Sequence, residues 1–183
     1  GCIAVSMALA GCRVTAMDIS EEALEIAMQN ATALNAEVAF VHENILQPSR
    51  TAQQWHVIVS NPPYICLHEA EAMERNVLDY EPHNALFVPD TDPLIFYRAI
   101  ASYAMSHLSA GGWLCLEINQ AYPDEMEKLL SSFGFKDVTI QKDQYKIISQ
   151  NSSKKFFSER LILEKLHETE ISEKLPFFHF SRS

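Results

Sequence analysis

The chain has 183 residues, 48% hydrophobic and 21% charged, with a formal net charge of −10. That length and balance suit one soluble domain with a real core, and the acidity argues against a nucleic-acid backbone as main partner, because phosphate binding needs clustered Lys and Arg. No apolar run approaches the roughly 20 residues of a membrane span, and the apolar stretch 3–10 lacks the basic flank of a signal peptide, so a cytoplasmic, monomeric protein is expected. Cys2, Cys12, Cys66 and Cys115 show neither C-x-x-C nor zinc-ligand spacing; reduced structural thiols and no metal are expected.

GCIAVSMALAG opens the chain and reads as a buried helix stopped by Gly11. RVTAMDIS is a short strand closing on Asp18. Ser20 then caps a helix with Glu21 and Glu22 in its first turn, where acids suit the dipole. Its apolar face is Ala23, Leu24, Ala27, Ala31 and Leu34. EVAFVHENI is a second strand, and 48–54 a polar loop. WHVIVS is a third strand, apolar almost throughout, as for a strand buried on both faces of a parallel sheet.

A long acidic loop is expected over 65–92, and loops of that length inside a domain are usually functional. The spacing predicts a helix over 93–108, stopped by Ser109-Ala110-Gly111-Gly112, then a strand WLCLEIN. Pro123 starts another helix, with Met126, Leu129, Leu130 and Phe133 on its apolar face and Gly134 at its end. DVTIQKD and YKIIS look like adjacent strands. The tail 150–183 carries a possible helix over 159–175 and is otherwise a loose extension or a partner-binding segment. Strands and helices alternate, so the fold class is α/β with a mostly parallel sheet and a C-terminal antiparallel strand.

Ligands of open α/β sheets bind beyond the carboxyl ends of the strands. Three such ends carry polar residues. Asp18 can accept the hydroxyls of a ribose, or simply cap the following helix. Asn44 can bond an adenine edge with Ile45 on the ring face, or belong to an ordinary polar loop. The third end is Asn61-Pro62-Pro63-Tyr64. A planar NH2 group on an sp² carbon is a poor nucleophile, since its lone pair is delocalised. The Asn61 side-chain oxygen and the Pro62 carbonyl supply two acceptors for its N–H groups. The prolines stiffen the turn and remove competing donors. Fixed acceptors stabilise positive charge building on the nitrogen, and Tyr64 offers a ring face to stack on the planar group. A plain structural turn is the alternative. Glu117 reads as support for a neighbouring loop. His42, His56, His68, His83 and His107 are scattered and read as surface or loop residues.

D-I-S at 18–20, N-P-P-Y at 61–64, Y-E-P at 80–82 with A-L-F at 85–87, F-Y-R-A-I at 96–100 and G-G-W-L-C-L-E at 111–117 follow one another at one family's spacing. Over roughly residues 1–143 the chain resembles the release-factor glutamine methyltransferases, the HemK/PrmC type. The resemblance implies a Rossmann-like class I fold and S-adenosylmethionine as cofactor. It implies methyl transfer to the side-chain amide nitrogen of the glutamine in the Gly-Gly-Gln loop of a peptide chain release factor. On this resemblance Asp18 holds the cofactor ribose, Asn44 and Ile45 flank adenine, and Gly1 is the last glycine of the cofactor loop. Asn61 to Tyr64 bind the glutamine, with Asn61 also near the cofactor. Glu81 with Pro82 is read as ordering the long loop over substrate, or as a solvated acid.

The family's first strand, its glycine loop and its N-terminal helical domain would all precede Gly1. The expectation is therefore a catalytic domain over 1–149, truncated at its start, with a non-family tail over 150–183, and weak or no cofactor binding by this chain alone. The family usually has Asp at position 44, where this chain has Asn. Two other readings stay open: an adenine-N6 nucleic acid methyltransferase, since N-P-P-Y occurs in both groups, and an inactive fragment that serves only as a binding partner.

Overall fold

The computed structural model describes residues 1–72, 86–142 and 159–163. These fall into two compact units, divided between Thr51 and Ala52.

The first unit runs α1 (Cys2–Leu9), β1 (Val14–Asp18), α2 (Glu21–Ala33) and β2 (Val38–His42). The two strands pair in parallel, from Val14 opposite Val38 to Asp18 opposite His42. Their carboxyl ends therefore lie side by side, and the Glu43 amide donates to the Asp18 carbonyl at 2.9 Å just beyond the last pair. Helix α2 starts where the sequence says it should. The Ser20 hydroxyl accepts from the Ala23 amide at 3.1 Å, and Glu21 and Glu22 fill the first turn. Leu24, Ala27 and Ala31 form its buried stripe. Gly11 follows α1 at φ +89°, the left-handed position for which glycine has no steric penalty. The expected burial of α1 is corrected: only Val5 of that helix is buried. With a core of Val5, Leu24, Ala27 and Ala31, this unit has few residues to bury the other faces of α1.

The second unit runs β3 (Trp55–Ser60), β4 (Ile65–Cys66), a short 3-10 turn (Leu67–Ala72), β5 (Phe87–Val88), α3 (Ile95–His107), β6 (Leu108–Ile118), α4 (Pro123–Ser132), β7 (Val138–Lys142) and β8 (Glu159–Leu163). The main sheet has the order β3-β6-β8-β7. β3 and β6 are parallel, and β8 runs antiparallel to both of its neighbours. β4 and β5 form a separate parallel pair. Along β6, Leu114, Leu116 and Ile118 are buried while Trp113, Cys115 and Glu117 are half-covered, the period-2 signature of a strand with one packed face. Buried Tyr97, Ile100, Ala101 and Ala104 of α3 and Met126 and Leu130 of α4 fill the core of this unit.

Besides the burial of α1, and the short strands β4 and β5 inside the expected 65–92 loop, four expectations differ from this structure. β3 is half-buried rather than enclosed on both faces, with His56 exposed, and among the described residues only its β6 edge is paired. Gly111 and Gly112 do not stop α3. The helix ends at His107 and the chain passes directly into β6, with a register irregularity opposite the Trp55–Val57 stretch. Gly112 suits a tight place in the strand, since a Cβ there would stand 3.0 Å from the His56 and Ser109 carbonyl oxygens. The third difference is at 159–163, read as the start of a helix; it is the antiparallel strand β8, inserted between β6 and β7. The antiparallel strand was expected from YKIIS, which lies outside the described residues, as does 164–183. Finally, His107 is no surface residue: it is buried, stacked on Tyr103 at 4.0 Å, with Nδ1 2.8 Å from the Tyr103 carbonyl.

Candidate functional site

In the first unit, Asp18, Asn44 and Ile45 stand at the adjacent carboxyl ends of β1 and β2. Asp18 is exposed, and its Oδ1 accepts from the Ser20 amide at 2.9 Å. That bond fixes one oxygen of the carboxylate at the strand end, and the second oxygen has no hydrogen bond to a described residue. His42 closes the same edge, with Nε2 2.8 Å from the Ile19 carbonyl. The Asn44 side-chain oxygen accepts from the Leu46 amide at 2.9 Å, which holds the side chain in its turn. Gly1 precedes α1, and a Cβ on it would lie 2.4 Å from the Ala27 Cβ. Only glycine permits this approach to α2, which is a packing role.

In the second unit, the turn 61–64 follows β3 directly. Asn61 is exposed, and its carboxamide has no hydrogen bond to a described residue. Pro62 is buried and anchors the turn. Its carbonyl takes no hydrogen bond from a described residue either. Tyr64 is held twice. Its hydroxyl donates to Glu117 Oε1 at 2.8 Å, and its carbonyl accepts from Asn119 Nδ2 at 3.0 Å. Asn119, itself buried, also donates to Glu69 Oε2 at 3.0 Å and accepts from the Ala121 amide at 2.9 Å. Tyr97 donates to the Glu117 carbonyl at 3.1 Å, and burial pushes its own hydroxyl pKa well above the usual tyrosine range. The end of β6 is thus a bracket for the turn. Glu117 supports the neighbouring loop, as its sequence position suggested. Asn119 and Glu69 were not singled out: the bonds that join Asn119 to Tyr64 and to Glu69 span 55 and 50 positions, which no local pattern marks.

Beyond Tyr64, three possible metal donors converge that sequence spacing did not indicate. Cys66 Sγ, His68 Nδ1 and a carboxylate oxygen of Asp90 lie within 4.8 Å of one another. Asp90 is 22 positions from His68, and β4–β5 pairing brings it back. Hydrogen bonds from the His68 amide and ring hold the Asp90 carboxyl below its ordinary range. Burial raises the Cys66 thiol. Residues 80–85, with Glu81 and Pro82, lie outside the described set.

A methyltransferase small domain family model matches residues 1–80. The release factor glutamine methyltransferase of Flavobacterium psychrophilum is 45% identical over 147 residues, covering 79% of this chain and 52% of that protein. The protein of the same name from Bacteroides thetaiotaomicron is 46% identical over 146 residues, covering 78% and 52%. The chain thus spans about half the length of the curated relatives it matches. Among solved structures, a methyltransferase from Pyrococcus furiosus superposes with a TM-score of 0.58 at 20% identity, covering 85% of this chain and 64% of that one. Magnesium protoporphyrin IX methyltransferase from Synechocystis, solved with bound S-adenosylmethionine, gives 0.57 at 16%, covering 91% and 65%. These likenesses establish a Rossmann-like class I methyltransferase fold.

Proposed function

Since the chain is a relative of the release factor glutamine methyltransferases over nearly four-fifths of its length, we propose that it carries the catalytic machinery for methylating a glutamine side-chain amide. The substrate is the glutamine of the Gly-Gly-Gln motif of a peptide chain release factor, the methyl donor is S-adenosylmethionine, and the setting is the cytoplasm. The observation that carries this reading is the Asn61 carboxamide: exposed, unbonded among the described residues, and set on a turn fixed by buried Pro62 and doubly held Tyr64.

The chain's residues then divide the work. The Asn61 oxygen and the Pro62 carbonyl accept the two N–H groups of the substrate amide and keep its nitrogen facing outward. As the nitrogen gains positive charge, these two oxygens stabilise it without reorganising, because the turn is already fixed. Tyr64 lies along the planar amide. Asp18 would hold the ribose hydroxyls, with Ile45 beside the adenine face and Asn44 at the adenine edge. Gly1 lets α1 pack against α2 beside the cofactor ends of the strands. S-Adenosylmethionine, when bound, supplies an electrophilic methyl on sulfonium. No metal or covalent intermediate enters this scheme.

The catalytic domain on this proposal comprises 1–149, and β8 is a strand contributed from beyond that boundary, within the tail 150–183. The test is methyl incorporation from labelled S-adenosylmethionine into a release factor and into a variant with the motif glutamine changed to alanine. Label is expected only in the first, and Asn61→Ala lowers it about 100-fold or more, the scale of losing one preorganised polar group. Transfer to adenine in DNA or RNA instead, or full-rate transfer by the Asn61 variant, would overturn the reading.

A further inference from the structure

We propose that Cys66, His68 and Asp90 form a three-ligand site for a divalent transition-metal ion of the zinc type, joining β4 to the segment that follows β5. One thiol, one imidazole and one carboxylate is a donor set suited to zinc, whereas magnesium and calcium select oxygen alone. The three donor atoms already lie within 4.8 Å of one another, close to the roughly 3 to 4 Å separations of a tetrahedral site, which small side-chain shifts reach.

The scaffold is built rather than incidental. Cys66 is fully buried and pairs directly with Val88, also buried, so the thiol is fixed by sheet and core together. Asp90 is two residues beyond Val88, and the His68 amide donates to its Oδ1 at 3.0 Å, which positions the carboxylate before any ion arrives. The Asp90 carboxylate offers one oxygen to the ion. The His68 ring now lies with Nδ1 2.7 Å from Asp90 Oδ1. On coordination that nitrogen turns its lone pair to the metal and the ring proton resides on Nε2. The Cys66 thiol gives its proton to solvent as sulfur binds.

Two neighbours complete the surroundings. The Tyr122 hydroxyl lies 3.4 Å from Cys66 Sγ and donates to the thiolate once it forms. Glu69 Oε2 accepts from the Cys66 amide at 2.7 Å, adding negative charge beside the cation. Outer partners of this kind set ligand orientation and affinity. His68 and Asp90 are exposed, so the fourth position opens to water, as in zinc sites with three protein ligands.

The test is titration of the reduced chain with Co2+, followed by Zn2+ competition. A sulfur-to-cobalt charge-transfer band in the near ultraviolet with strong visible absorption is expected, bleached by a single equivalent of Zn2+. His68→Ala and Asp90→Asn, both at exposed positions that leave the core intact, each weaken Zn2+ binding by more than the roughly 10- to 100-fold typical of losing an outer partner. Tyr122→Phe weakens it roughly 10-fold. Cys66→Ser removes the charge-transfer band, while Cys2→Ser and Cys12→Ser keep it. No band, or a band that survives both His68→Ala and Asp90→Asn, overturns the proposal and leaves a surface ion pair beside a core thiol.

Discussion

The Tyr64 hydroxyl donates to Glu117 Oε1 at 2.8 Å, tying the last residue of the turn 61–64 to the half-covered face of β6. The bond is part-buried and its acceptor is a carboxylate, so it belongs to the stronger class of side-chain hydrogen bonds. Tyr64→Phe keeps the ring and deletes this donor. It is expected to cost about 1–2 kcal/mol in urea unfolding. If the variant unfolds at the wild-type midpoint, the bracket on the turn is not energetically significant.

Asn119 makes a different prediction, because it satisfies three partners from one buried position: the Tyr64 carbonyl, Glu69 and the Ala121 amide. Asn119→Leu leaves a carboxylate and a carbonyl short of a donor. Asn119→Asp keeps the shape and the bond from Ala121 but sets a second carboxylate at hydrogen-bond distance from Glu69. Both are expected to destabilise by about 2–3 kcal/mol. The Asp variant is distinguishable by pH: its loss shrinks as the solution is acidified and one of the two carboxylates takes a proton. Chemical denaturation at two pH values reads both effects.

Helix α2 gives a simpler case. Its start rests on the Ser20 hydroxyl accepting from the Ala23 amide at 3.1 Å. Ser20→Ala removes the cap and is expected to cost about 1 kcal/mol, while Ser20→Asp restores most of it. Since Ser20 also donates its amide to Asp18, circular dichroism should accompany the melts to show that the strand end is unchanged.

Local chemistry made much of this legible. Ser20, Pro123, Gly11 and Gly134 mark helix ends because capping, fixed φ and positive φ each act within a few residues, and those ends stand where the sequence put them. The placement of Asp18, Asn44 and Asn61 at or just after strand ends was legible too, because each closes a β-prone apolar run. What escaped was set by distant pairing. Glu159 to Leu163 is a strand because β6 and β7 leave a slot between them, although its apolar residues also suit a helix. His107 is the exception: its stacking partner Tyr103 is one turn earlier, a helical spacing that was readable but not used. Asn119 and the Cys66–His68–Asp90 group depend on chain segments that meet only after folding.

Cys115 offers a prediction in which protonation is the readout. It sits on the half-covered face of β6, and burial pushes its thiol from 9.0 up to about 11. A raised folded-state pKa means the folded chain holds this proton more tightly than the unfolded chain. The associated stability is therefore complete below about pH 9 and is lost as pH rises through about 11. The thiolate is the form that reacts with alkylating reagents. At neutral to mildly alkaline pH its fraction at Cys115 is roughly 100-fold lower than for a thiol at 9.0, since each pKa unit is a factor of ten. Timed iodoacetamide labelling with peptide mapping should find exposed Cys2 modified first and Cys115 far more slowly. Adding denaturant should bring the two rates together. Equal rates in the folded chain would mean that the β6 face carrying Cys115 is open to solvent.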